Sequence, residues 1–293
     1  MEKLLSRFTA YLKIERNASV ATISSYKPEL EKFLYYLSQS GIEDIRAVTV
    51  SHIREYIYTI KEERGLSSVS TYIKIAIIKS FFNYLSSEGK IDKNPAAKIK
   101  LPRRQRPIPK VVSEADFSKI LACIRFSPKR CQKNYIRDTL IFCMLYYCGL
   151  RRGELLALDW DDIDLEKDTL IVRDSKNKTA RVIPIHPRVK ELLEGYLAQR
   201  LPIGNRALFI GEAGSRLCKT SFSNIIGLYL KISGLEHKGY SAHSLRHSFA
   251  TRLIEKGANL FLVQRLLGHR TLDATRVYVH FDRGSFREAI ELI

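Results

Sequence analysis

Apolar positions along the first hundred residues recur at helical spacing and predict four helices. Leu4, Leu5, Phe8, Tyr11 and Leu12 line one face of the first. Ser19 is placed to cap a second, with Ile23, Tyr26, Leu30, Phe33, Leu34 and Leu37 on one side and Gly41 at its end. Ser51 is expected to cap a third, in which Ile53, Ile57 and Ile60 align before Gly65. A fourth runs from about Ser67 to Ser87 through Val69, Tyr72, Ile73, Ile77, Phe81 and Leu85. This is the pattern of a small helical bundle, and its residues name no chemistry.

The periodicity then stops. Pro102, Pro107 and Pro109 exclude a regular helix, so residues 101–112 read as a linker. Beyond it, Ser113-Glu-Ala-Asp116 opens a capped helix, and a second long helix runs to Tyr147. Leu165–Arg173 and Ala180–Ile185 read as two strands around a polar turn from Asp174 to Lys178. Helices resume near Pro187. The expected fold class is therefore mainly α: a four-helix N-terminal domain, then an α-rich domain with a small antiparallel β-sheet.

Charge sharpens this picture. Lys and Arg number 49 against 31 Asp and Glu, a formal net charge of +18. The excess is spread over both halves and the linker, as expected of a protein that holds a polyanion along an extended surface. Solubility alone is the plainer explanation, and an anionic membrane is another candidate, but no segment reads as a basic interfacial helix. No apolar run approaches a bilayer span, and Met1–Leu5 lacks the apolar stretch of a secretory leader. The 5 cysteines include no C-x-x-C pair, so neither disulfides nor zinc are expected, and a cytoplasmic location fits. Arg103, Arg104, Arg106 and Lys110 make the linker basic, as a segment crossing a phosphate backbone would be; a solvated spacer would look the same.

Four local patterns in the second domain carry candidate chemistry. In Gly149-Leu150-Arg151-Arg152-Gly153-Glu154, a glycine-broken helix end presents an arginine with a carboxylate three residues on. Arg151 can grip a phosphate oxygen while Glu154 orients its neighbours, although most such pairs are ordinary surface pairs. Lys176 occupies the hairpin turn, with Lys178 close enough to share its duties; a turn lysine can enter a groove or protonate a leaving oxygen. His243 and Arg246 fall on one helical face. His247 completes a zinc-like i, i+4 pair with His243, but the intervening Arg246 disfavours a cation there. Finally, Leu267-Gly268-His269 precedes Tyr278, whose phenol becomes a nucleophile if cations surround it.

Taken in order, Gly-Leu-Arg151-x-x-Glu154, the hairpin lysine, His243-x-x-Arg246, Leu-Gly-His269 and Tyr278 resemble the signature of the tyrosine recombinase (integrase) family. The flanks Leu158-Asp-Trp160, His243–Thr251 and Thr275-Arg-Val-Tyr278 resemble it too, and Cys148 stands where the family often has Thr. The four-helix module is similar to the family's SAM-like core-binding domain, and the chain looks like its simple two-domain, Xer-like members.

The resemblance implies domains at 1–100 (core binding), 101–112 (linker), 113–280 (catalytic) and 281–293 (a tail exchanged between protomers). Tyr278 would be the nucleophile and Arg151 with Arg246 the phosphate clamp. Lys176 would be the general acid, with His243 and His269 stabilising the transition state and Glu154 supporting the site. It implies a double-stranded recombination site as substrate, a homotetramer on two duplexes, accessory proteins as possible partners, no membrane, and neither metal nor nucleotide cofactor. Two other readings compete. A type IB topoisomerase would share the chemistry. A helix-turn-helix regulator could be built on Phe261–Gly268 and Thr271, but it leaves Arg151 and the His-x-x-Arg helix unexplained.

Overall fold

The computed structural model describes residues 1–102, 109–126, 134–174, 179–200 and 204–268. The chain divides into two compact units, Met1–Pro107 and Ile108–Ile293.

The first unit holds helices α1 (Glu2–Ile14), α2 (Val20–Gln39), α3 (Val50–Arg64) and α4 (Ser68–Ser87). Ser19 caps α2 as expected, and Ser67 caps α4, each accepting a backbone N–H of the first turn. The third helix starts earlier than the sequence suggested. Thr49, not Ser51, is its cap: the Thr49 hydroxyl accepts the His52 N–H, and His52 Nδ1 accepts the Thr49 N–H in return. That reciprocal pair satisfies two end donors at once, which Ser51 could not do from inside the first turn. Phe8, Phe33, Phe81 and Phe82 are fully buried where the helices meet, with Phe8 edge-on to Phe81 at 5.3 Å.

The second unit is built around α6 (Tyr135–Tyr147). Leu140 through Tyr146 are all buried, so this helix is apolar on every side and forms the centre of the core. Around it lie α5 (Glu114–Arg125), α7 (Arg152–Ala157), α8 (Pro187–Arg200), α9 (Lys219–Ile232), α10 (Ala242–Glu255) and α11 (Leu260–Leu267). Ser113 caps α5, and the Val112 N–H is held by the buried Ser248 hydroxyl of α10 at 2.7 Å.

Three antiparallel strands, β1 (Ile163–Asp164), β2 (Thr169–Asp174) and β3 (Thr179–Pro184), complete the unit in the order β1-β2-β3. The strand expected over Leu165–Arg173 therefore begins only at Thr169, and β1 lies before it. Asp164 Oδ1 accepts the N–H groups of Glu166 and Lys167 and folds this stretch into a turn, and Asp168 takes a positive φ before β2 begins. Across the β2–β3 pair, Leu170 faces Ile183 and Val172 faces Arg181. Leu170, Val172 and Ile183 are buried, whereas Val182 is exposed, so Arg181 lies on the inward face. Among the described residues no helix is long and apolar enough to cross a membrane.

Candidate active site

Where α6 ends, Gly149 adopts a left-handed conformation with φ +62°, and a side chain there would run into the Phe249 ring. This turn is thus restricted to glycine, and it swings the chain so that Arg151 precedes α7. One helical turn later Glu154 folds back. Its carboxylate accepts the Arg151 backbone N–H at 2.7 Å and the Arg151 guanidinium at 2.7 Å. The pair is no ordinary surface pair, since the Glu154 side chain is only 9% exposed.

Two further arginines reach the same carboxylate from distant parts of the chain. Arg181, on β3, grips it with two prongs, Nη1 to Oε1 at 2.9 Å and Nη2 to Oε2 at 2.8 Å. Arg246, buried on α10, approaches Oε2 at 3.5 Å and donates to the Gly149 carbonyl at 2.5 Å. Burial alone would raise the Glu154 pKa. The hydrogen bonds from Arg181 and the Arg151 N–H, with the positive charges of Arg181 and Arg246, outweigh burial and hold it down at about 2. Among the described residues, three guanidiniums meet one carboxylate, a formal surplus of two positive charges.

The same three arginines secure the end of α11. Arg181 Nε donates to the Leu266 carbonyl at 2.8 Å, Arg246 Nη2 to Leu267 at 2.6 Å, and Arg151 Nη2 to Gly268 at 2.9 Å. These carbonyls have no partner within the helix, and the negative end of the helix dipole favours the cations that meet them. Gly268 takes φ +63°, and a Cβ there would lie 2.9 Å from Arg181 Nη1.

His243 sits in the first turn of α10, which the Ser241 side chain caps. Partial burial, then the charges of Arg246, Arg152 and Arg151, lower its pKa from the usual histidine value. His247, one turn on, is pushed down to about 4 by burial, His243 and Arg246. Both shifts favour the neutral ring.

Of the sequence-predicted residues, the structure brings Arg151, Glu154 and Arg246 together, with His243 one turn before Arg246 on α10. Lys110 is on the second unit's surface, its ammonium donating to the Lys238 carbonyl at 2.8 Å. Lys176, Lys178, His269, Tyr278, Arg103, Arg104, Arg106 and the tail 281–293 lie outside the described residues. Sequence reasoning missed Arg181. The available signal was its register: in Ala180-Arg-Val-Ile-Pro-Ile185 the arginine shares strand parity with Ile183 and Ile185, both buried, and an inward charge demands a buried partner.

Comparison with known proteins agrees with this geometry. Residues 110–284 match the model of the phage integrase family, and residues 5–89 match the phage integrase N-terminal SAM-like domain. A tyrosine recombinase of Pseudothermotoga lettingae is 34% identical over 281 residues, covering 96% of this chain and 94% of its own. Tyrosine recombinase XerC of Thermodesulfovibrio yellowstonii is 31% identical over 286 residues, covering 95% and 91%. Among solved structures, the XerH site-specific recombinase bound to its palindromic difH substrate, in a post-cleavage complex, superposes with a TM-score of 0.77 at 26% identity. That match spans 98% of this chain and 84% of the other. The chain belongs to the phage integrase family and is a site-specific tyrosine recombinase.

Proposed function

We propose that this recombinase cuts and rejoins double-stranded DNA through a covalent bond between Tyr278 and a 3′-phosphate. The Tyr278 phenol gives its proton to a site histidine as its oxygen attacks the scissile phosphorus, the bond to the 5′-oxygen breaks, and Lys176 gives that oxygen its proton. Rejoining reverses the step: a 5′-hydroxyl attacks the phosphotyrosine and releases the phenol. The phosphodiester's energy is kept in the protein–DNA bond, so rejoining needs no nucleotide cofactor.

Arg151 and Arg246 grip the non-bridging oxygens. His243 and His269 bond the same oxygens and assist proton transfer, and Glu154 fixes the clamp. The observation that carries this reading is the cluster's surplus of two positive charges, which offsets the charge of a pentacoordinate phosphorane where charge develops. Arg103, Arg104, Arg106, Lys110 and Lys178 supply backbone contacts along the duplex.

The domains are 1–100, 101–112, 113–280 and 281–293 in the roles the family resemblance gives them. A cytoplasmic homotetramer holds two duplexes and passes through a Holliday junction, with residues 281–293 docking on a neighbouring protomer. A duplex nicked beside the scissile phosphate tests the chemistry. Without added metal, wild type should form a denaturation-resistant adduct that Tyr278→Phe lacks, and binding without an adduct would overturn the reading. Exchange between two duplexes separates recombination from simple relaxation. Removing residues 284–293 should impair pairing of two sites more than binding of one, and equal activity of the shortened protein would refute the docking role.

A further inference from the structure

We propose that Arg181 is a positioning residue for strand cleavage: it holds both oxygens of Glu154 and so weakens that carboxylate's pull on Arg151 and Arg246. The inference rests on the phosphoryl-transfer reading above.

Glu154 is a hazard as well as a support. A buried carboxylate beside two arginines attracts their donors, and those donors compete with the phosphate for one set of N–H groups. The geometry shows how that competition is limited. The Arg181 side chain is 14% exposed, and its Nε, Nη1 and Nη2 are spent on Leu266 and on the two oxygens of Glu154. Arg151, in contrast, is 38% exposed and takes a single Glu154 oxygen through its guanidinium, while Arg246 stands at 3.5 Å. The two-pronged hold on the carboxylate thus belongs to the arginine on the inward face of the sheet, while Arg151 shares one oxygen at 2.7 Å and Arg246 stays at 3.5 Å.

Arg181 also links three elements. Its backbone is in β3, directly after the hairpin turn that carries Lys176 in sequence. Its side chain reaches Glu154 on α7 and the last turn of α11, whose next residues in sequence are Gly268 and His269. A planar fork can serve these acceptors at fixed angles, whereas an ammonium cannot.

A buried ion pair of purely structural value would also look like this, and the two accounts differ in what they predict. If Arg181 acts by occupying Glu154, removing it leaves the carboxylate to pull on Arg151 and Arg246, and neutralising Glu154 relieves that pull. If Arg181 only holds the fold, the two losses add.

The test is the rate of adduct formation on the nicked duplex for full-length wild type, Arg181→Met, Arg181→Lys, Glu154→Gln and the Arg181→Met/Glu154→Gln double variant. Arg181→Met is expected to slow the adduct on the order of a hundredfold, with single-site DNA affinity within a few fold of wild type. Arg181→Lys should recover only part of the loss. The double variant should be faster than Arg181→Met alone. The rate of Arg181→Met relative to wild type should rise as pH falls from 7 to 5, because Glu154 loses its main partner and takes up a proton. That trend should vanish in the Glu154→Gln background. If Arg181→Met does not fold, Arg181→Lys with and without Glu154→Gln gives the same comparison. Additive losses, or a relative rate that does not move with pH, would overturn the role of Arg181 while wild type still forms its adduct. No adduct from wild type would sink the phosphoryl-transfer reading and this inference with it.

Discussion

Arg246 Nη2 donates to the Leu267 carbonyl at 2.6 Å, joining the middle of α10 to the end of α11. The bond gives one side chain two duties, because the same guanidinium also holds the Gly149 carbonyl beneath Arg151. Arg246→Ala should therefore fail in two assays. It should abolish adduct formation, and it should lower unfolding free energy by about 2–4 kcal/mol, since two carbonyls and a buried carboxylate lose a charged donor. Arg151→Ala should abolish the adduct but cost only about 1 kcal/mol, because its side chain is partly in solvent and Arg181 still holds Glu154. Urea unfolding of both variants checks the split, and equal destabilisation would contradict it.

Much of this was legible from residue order, for reasons that differ by element. The caps at Ser19 and Ser113 sit directly before apolar periodicity, so local chemistry decides them. Thr49 was missed because its partner is a histidine rather than the usual acidic or amide side chain. At the site, Arg151, Glu154 and Arg246 were visible as motif positions, but their convergence was not. Glu154 gathers donors from positions 27 and 92 residues away, and no local pattern encodes such distances. Arg181 was hidden because a lone arginine in a short strand reads as a surface residue until the register of its neighbours is weighed.

Glu154 predicts an acid limb in stability. Its pKa lies near 2 in the folded protein, against 4.5 for an ordinary glutamate. A carboxylate with a depressed folded pKa stabilises fully above about pH 4.5, and that contribution disappears as pH falls toward 2. The linkage is worth about 3 kcal/mol. Glu154→Gln should flatten the dependence of the urea midpoint on pH between 5 and 2. An unchanged slope would show that other carboxylates dominate acid unfolding.

The histidines act in the same direction over a higher pH window. His247 is held near pKa 4 against 6.5 for a free ring, and His243 is lowered too. The folded state therefore resists protonation that the unfolded chain accepts. Stability from this source is intact above about pH 6.5 and is lost as pH falls toward 4. A bound phosphate reverses the field at His243, so DNA binding at pH 6 should draw protons from solution. Calorimetry in two buffers of different ionisation heat measures that uptake, and it should shrink in His243→Gln. Heats that do not depend on the buffer would rule out this coupling.

Gly268 offers a test of how tightly the end of α11 must be held. Alanine there meets two penalties: the left-handed backbone at φ +63°, and a Cβ only 2.9 Å from Arg181 Nη1. The first costs about 1 kcal/mol. The second must displace the guanidinium that grips Glu154, or the Gly268 carbonyl that Arg151 binds. Gly257 is a matched control, with φ +79° and open space where a Cβ would stand. Both Gly268→Ala and Gly257→Ala should lose comparable backbone stability, but only Gly268→Ala should slow the adduct, by about tenfold or more. Stopped-time denaturing gels on the nicked duplex give the rates, and thermal melts give the stabilities. If both alanines slow cleavage equally, general strain explains the effect and the cluster's geometry does not.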